Sequence, residues 1–130
     1  MSRTVFTGAE VFDGTGAQPY PADVVIEGER IVAVGPAGSA DADEAVDISG
    51  KTLLPGLFDT HVHITIRTVD IWQLVQRPFS YQFFEAARNL QDTLSAGVTT
   101  IRDAGGADLG IRQAVEDGLT VGPRWWRLRA

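Results

Sequence analysis

The segment from Leu53 to Ile66 places the tightest constraint on how this chain can fold. It is apolar at Leu53, Leu54, Leu57, Phe58, Val62, Ile64 and Ile66, and Pro55-Gly56 breaks it near its start. Such a run, opened by a Pro-Gly turn signal, reads as a buried strand. Asp59, His61 and His63 interrupt it at alternate positions and give it a polar face. Successive side chains of an extended strand point to opposite sides, so His61 and His63 leave the backbone on the same side. They are the only two histidines in the chain. Imidazole is a common ligand of zinc and similar ions, and two on one face can close on one ion. Spacing alone equally admits a plain pair of hydrogen-bonded strand histidines.

Around this segment the pattern changes. Residues 1–54 read as short strands and turns. Val5 to Phe12 is β-prone, and Asp13-Gly14-Thr15-Gly16 is a turn cluster. Two apolar runs flank Glu27-Gly28-Glu29-Arg30 between Ala22 and Gly35, a hairpin with Gly28 free to take positive φ. An acidic connection, Asp41 to Glu44, leads to a short strand from Ala45 to Ile48. This β-module is too short to close a large core of its own. Residues 55–130 read instead as strand, helix, strand, helix. Residues 65–79 form a long irregular loop. Ser80 then caps a helix with the stripe Phe83, Ala87, Leu90 and Leu94, and Gly97 suits its C-terminus. Val98 to Ile101 is a second buried strand. The next helix runs from about Asp108 to Asp117, with Ile111, Ala114 and Val115 inward and Gly118 closing it. A strand–helix–strand crossover belongs in a parallel sheet with covered faces. Two such strands do not make a self-sufficient sheet, so the architecture reads as unfinished.

Composition narrows the chemistry. A net charge of -6 disfavours nucleic acid and anionic membrane surfaces. With no cysteine there is neither a disulfide frame nor a thiolate metal site, so any metal must be held by imidazole, carboxylate or water. No stretch approaches the ~20 apolar residues of a membrane span, and a cytoplasmic protein is the expectation.

The stretch Leu53-Leu54-Pro55-Gly56-Leu57-Phe58-Asp59-Thr60-His61-Val62-His63 resembles the signature of the metal-dependent amidohydrolase superfamily. There a β-module leads into the first strand of a TIM-like barrel, and His-x-His ends that strand. Ala96-Gly97-Val98-Thr99-Thr100-Ile101-Arg102-Asp103-Ala104-Gly105-Gly106 resembles the second strand and following loop of its imidazolonepropionase-like and prolidase-like branch. The hairpin Val24 to Val34 and the segment Val46 to Lys51 fit the N-terminal module, and the likeness runs from about Thr4 to Arg124.

The resemblance implies a fold class: a β-module belonging to a composite β-sandwich (1–54), then the first two βα units of an incomplete TIM-like barrel (55–130). It implies hydrolysis of C–N bonds in a small molecule or short peptide. One or two divalent ions, zinc first among them, would lower the pKa of a bound water and polarise the carbonyl. His61 and His63 match the first two metal ligands. Asp59 has two readings: it orients a ligand, or it hydrogen-bonds a neighbouring loop. The remaining parts of such a site, a carboxylated lysine or glutamate, two further histidines and a general-base aspartate, are not in this sequence. Barrel sites draw on several strand ends, so these residues alone are expected to be inactive. The alternative is a non-catalytic remnant or a small, weak metal-binding protein. Oligomeric state is not legible.

Three other features have structural readings. Arg102 and Asp103 lie at a strand's C-terminal end, where barrel function concentrates, but suit a structural ion pair or a helix cap better, and Gly105-Gly106 suits a turn better than an anion cradle. Gly122-Pro123-Arg124 would lead into a third strand. The following Trp125-Trp126-Arg127-Leu128-Arg129-Ala130 departs from the aliphatic pattern expected there and reads as the product of a frameshift, an early stop or a misread gene.

Overall fold

The structure, a computed structural model, describes residues 2–126. It divides into two compact units, Met1–Pro55 and Gly56–Ala130.

The first unit holds seven short strands: β1 (Arg3–Thr7), β2 (Glu10–Val11), β3 (Tyr20–Pro21), β4 (Asp23–Glu27), β5 (Arg30–Gly35), β6 (Glu44–Asp47) and β7 (Thr52–Leu53). They form one sheet of order β5-β4-β1-β6 and another of order β3-β2-β7. The β4–β5 hairpin turns at Gly28-Glu29, where Gly28 has φ 60°. A glycine at the first of two central positions suits the twist of a two-residue hairpin. Gly8-Ala9 splits the β-prone run from Val5 to Phe12, sending β1 to one sheet and β2 to the other. Val11, Ala22 and Val24 pack with Leu53 as a small core. Beside it lies an apolar cleft of about 290 Å³ lined by Phe6, Ile26, Ile31 and Val34, among others. Ile31 is 67% exposed.

The second unit runs β8 (Leu57–Val62), α1 (Ile71–Gln76), α2 (Tyr81–Ser95), β9 (Val98–Asp103), α3 (Leu109–Glu116) and β10 (Arg124–Trp125). Its sheet is all parallel, in the order β10-β9-β8. α2 crosses from β8 to β9, and α3 crosses from β9 to β10. Ile64, Ala86, Leu90, Ile101 and Ile111 form the core where these helices cover the sheet. Leu90 and Ile101 are fully enclosed. Among the described residues no helix is long and apolar enough to cross a membrane.

Several sequence expectations are corrected here. β8 is exposed along most of its length rather than buried, because among the described residues it is an edge strand, paired on one side with β9. The irregular stretch 65–79 contains α1, whose start is capped by Asp70 Oδ1 accepting from the backbone of Trp72 (3.0 Å) and Gln73 (3.4 Å). Ser80 precedes α2 but makes no side-chain cap, since its backbone is already helical. The buried positions of α2 are Ala86 and Leu90; Phe83 instead stacks edge-on against Phe79 at 5.1 Å. A third parallel strand is present as β10, so Trp125 joins the sheet and packs on the core. Of the terminal segment read as out of pattern, Arg127 to Ala130 lies outside the described residues.

Candidate metal centre

β8 brings its histidines to the C-terminal end of the parallel sheet, His61 within the strand and His63 just beyond it. The two rings lie 5.3 Å apart between centroids and meet edge-to-face at 69°. Both residues are exposed, as a site at the open end of a sheet must be to admit ligand. Among the described residues no hydrogen bond joins Asp59 to either imidazole; its Oδ1 accepts from the His61 backbone N–H at 3.1 Å. That bond braces the strand at His61.

The loop after β8 is held by the loop after β9. Ala104 N–H donates to the Val62 carbonyl (2.8 Å), extending the ladder by one bond beyond β9. Asp103 accepts from Ile64 N–H and from Gly105 N–H, each at 2.8 Å. His63 Nδ1 sits 2.7 Å from the Gly105 carbonyl. From the helix layer, Asn89 of α2 donates to the Ile64 carbonyl at 2.8 Å. Gly106 (φ 102°) closes on this loop so tightly that a Cβ there would lie 2.8 Å from Thr65 Oγ1. The Gly105-Gly106 pair is thus a turn, and its crowding excludes a side chain.

Asp103 forms neither of the structures expected of it. Among the described residues no ion pair joins it to Arg102, and α3 is capped by Asp108, which accepts from Gly110 (2.9 Å) and Ile111 (3.3 Å). Asn89 carried no sequence signal, since a lone amide on a polar helix face looks like any solvated residue.

The donor set suits a divalent ion in part. Two imidazoles lie side by side, and the Gly105 carbonyl leaves His63 one nitrogen for a ligand. Among the described residues no third His, Cys, Asp or Glu joins them in a cluster. Structural and catalytic zinc sites use three or four protein ligands, so this pair is an incomplete set.

Comparison with known proteins bears on the same residues. The family model described as "Amidohydrolase family" matches residues 52–129. Over 66 residues, 51% of this chain and 14% of the relative, the chain is 42% identical to N-acyl-D-glutamate deacylase of Alcaligenes xylosoxydans xylosoxydans. It is 54% identical to imidazolonepropionase of Arthrobacter sp. (strain FB24) over 44 residues, 33% of this chain and 11% of that protein. Among solved structures, it resembles a prolidase complexed with N-methylphosphonate-L-proline, with 37% identity and a TM-score of 0.85, covering 95% of this chain and 31% of that one. The chain therefore spans a small part of the proteins it matches.

Proposed function

The chain belongs to the amidohydrolase family, and from that premise we propose that His61 and His63 bind a divalent metal ion, zinc in the first instance, within a site that hydrolyses C–N bonds. Members of the family generally depend on divalent metals. The observation that carries the reading is the side-by-side placement of the two imidazoles at the C-terminal end of a parallel sheet, 5.3 Å apart. Sites built on parallel β/α sheets lie at that end, where the loops following the strands converge. We assign the second unit to the opening of a TIM-like barrel and the first to part of a β-sandwich.

When bound, a divalent ion lowers the pKa of a water and polarises the carbonyl of the bond to be cleaved. The residues of this chain supply the two imidazoles and hold them. Asp59 fixes the His61 backbone, and Gly105 fixes the His63 ring. For substrate, a small acylated amine or a short peptide fits best, because similar proteins include a deacylase and a prolidase that takes a proline-derived phosphonate.

One observation favours a second reading for the 130 residues taken alone. Two ligands make a weak site, so this chain by itself is a weak metal binder without turnover. Titrating zinc into the ¹⁵N-histidine-labelled chain tests the assignment. Both imidazoles are expected to shift together, and His61→Ala or His63→Ala is expected to abolish the response. Zinc that leaves both rings unmoved overturns it. No hydrolysis of N-acyl amino acids or Xaa-Pro dipeptides is expected from the loaded chain, and measurable turnover would refute the second reading.

A further inference from the structure

One carboxylate ties together the loops that follow β8 and β9. Asp103 Oδ2 accepts from the backbone N–H of Ile64, and Oδ1 accepts from that of Gly105, both at 2.8 Å. The residue so held, Gly105, presents its own carbonyl, which belongs to the next peptide along the chain, 2.7 Å from His63 Nδ1. A carbonyl oxygen only accepts, so the ring hydrogen resides on Nδ1 and, in the neutral ring, the lone pair resides on Nε2. The nitrogen that His63 offers to a ligand is therefore selected by the Gly105 carbonyl. That carbonyl is placed by Asp103.

We infer that Asp103 is a positioning residue for His63: by anchoring Gly105 through its N–H, and with it the Gly105 carbonyl on the other side of the same Cα, its carboxylate sets the tautomer and the orientation of the His63 ring. The chemistry demands a carboxylate. Two backbone N–H groups reach the side chain, one at each oxygen, and a carboxylate offers an acceptor oxygen to both. With Asp103→Asn, one of them would face an NH₂ group instead. Gly106, packed on Thr65, and Asn89, bonded to Ile64, hold the loop after β8 from its other sides, whereas among the described residues the Gly105 N–H is held by Asp103. The functional value of this arrangement rests on the proposed metal site; its geometry does not.

The test uses the full chain uniformly labelled with ¹⁵N and ¹³C at about pH 8, above the ordinary imidazole pKa of about 6.5. With only two histidines, His61→Gln assigns the signals. The wild type is expected to show His63 as the Nδ1–H tautomer, with couplings across the hydrogen bonds from the Ile64 and Gly105 amides to the Asp103 carboxylate. In Asp103→Asn, His63 is expected to move toward the Nε2–H tautomer, and zinc affinity to fall about 10–100-fold, the usual effect of losing a group that orients a ligand. A His63 that stays Nδ1–H in the folded variant overturns the inference. So does a wild type lacking that tautomer or the couplings. Should Asp103→Asn not fold, Asp103→Ser carries the same two outcomes. Zinc added to the wild type separates this inference from the metal reading: rings unmoved by zinc sink the metal site alone, while the tautomer in zinc-free chain decides the role of Asp103.

Discussion

Asp47 accepts hydrogen bonds from the Ser49 hydroxyl and from the Ser49 backbone N–H. These hold its carboxyl below the ordinary value of 3.8. A pKa that is lower in the folded state means that the unfolded chain takes up the proton first as pH falls. The contribution of Asp47 is thus complete at neutral pH and is lost as pH drops from about 4 through its lowered value. Asp47→Asn is expected to lower the urea midpoint of the first unit at pH 7, with the gap to wild type closing below about pH 4; a gap independent of pH would count against this. In the second unit, the glycine of Pro55-Gly56 is needed for space. A Cβ there would lie 2.1 Å from Thr99 Oγ1 and 2.2 Å from Cγ2. Gly56→Ala should destabilise that unit by about 1–3 kcal/mol, as overpacking does, measured by urea denaturation. At this scale the sequence was partly legible. The shared side of His61 and His63 follows from strand alternation, and the rings do meet. The partners of Asp103 could not be read, because Ile64 is 39 residues away along the chain and its N–H is identical in sequence to any other.

α2 shows what a helix pattern can and cannot say. Four-three-four spacing located the helix and its end near Gly97, but more than one stripe fits the same residues, since Phe83, Phe84, Ala86, Ala87, Leu90 and Leu94 spread over roughly 160° of its circumference. Packing against Ile101 and Ile111 selects the line through Ala86 and Leu90. Leu90→Ala should cost about 2–5 kcal/mol, because Leu90 is enclosed and Gly122 packs directly on it, leaving a cavity that cannot collapse. Phe84→Ala, at a side chain 77% exposed, should change stability by no more than about 0.5 kcal/mol. Denaturant unfolding of the two variants checks the assigned face; the reverse ranking would mean the helix is rotated. α1 was missed for a different reason. Its six residues are too few for a periodic signal, and its only marker, Asp70, is one acidic residue between Val69 and Ile71.

In the whole molecule, the strand that leads into the site is also poorly covered. Phe58 of β8 is 59% exposed and meets Trp126, itself 56% exposed, edge-on at 5.9 Å. An uncovered parallel edge with apolar neighbours is a template for pairing with another chain. Sedimentation of the purified chain is expected to show concentration-dependent association, weakened by Phe58→Lys, which places a charge on that edge; a monomer at all concentrations would contradict this. What the sequence by itself determined is local: the strand carrying Asp59, His61 and His63, the hairpin at Gly28, the helix ending at Gly97, and the family signature. Each depends on residues within about a dozen positions, whose spacing or φ requirement is written directly in the chain. What only the tertiary structure decided is which groups from distant segments meet. Examples are the edge position that leaves β8 exposed, the pairing of β10 with β9, the face of α2 that is buried, and the carboxylate of Asp103 bound to two loops. These contacts join residues far apart in sequence through backbone groups that every residue carries alike, so no pattern of side chains announces them before the chain has closed.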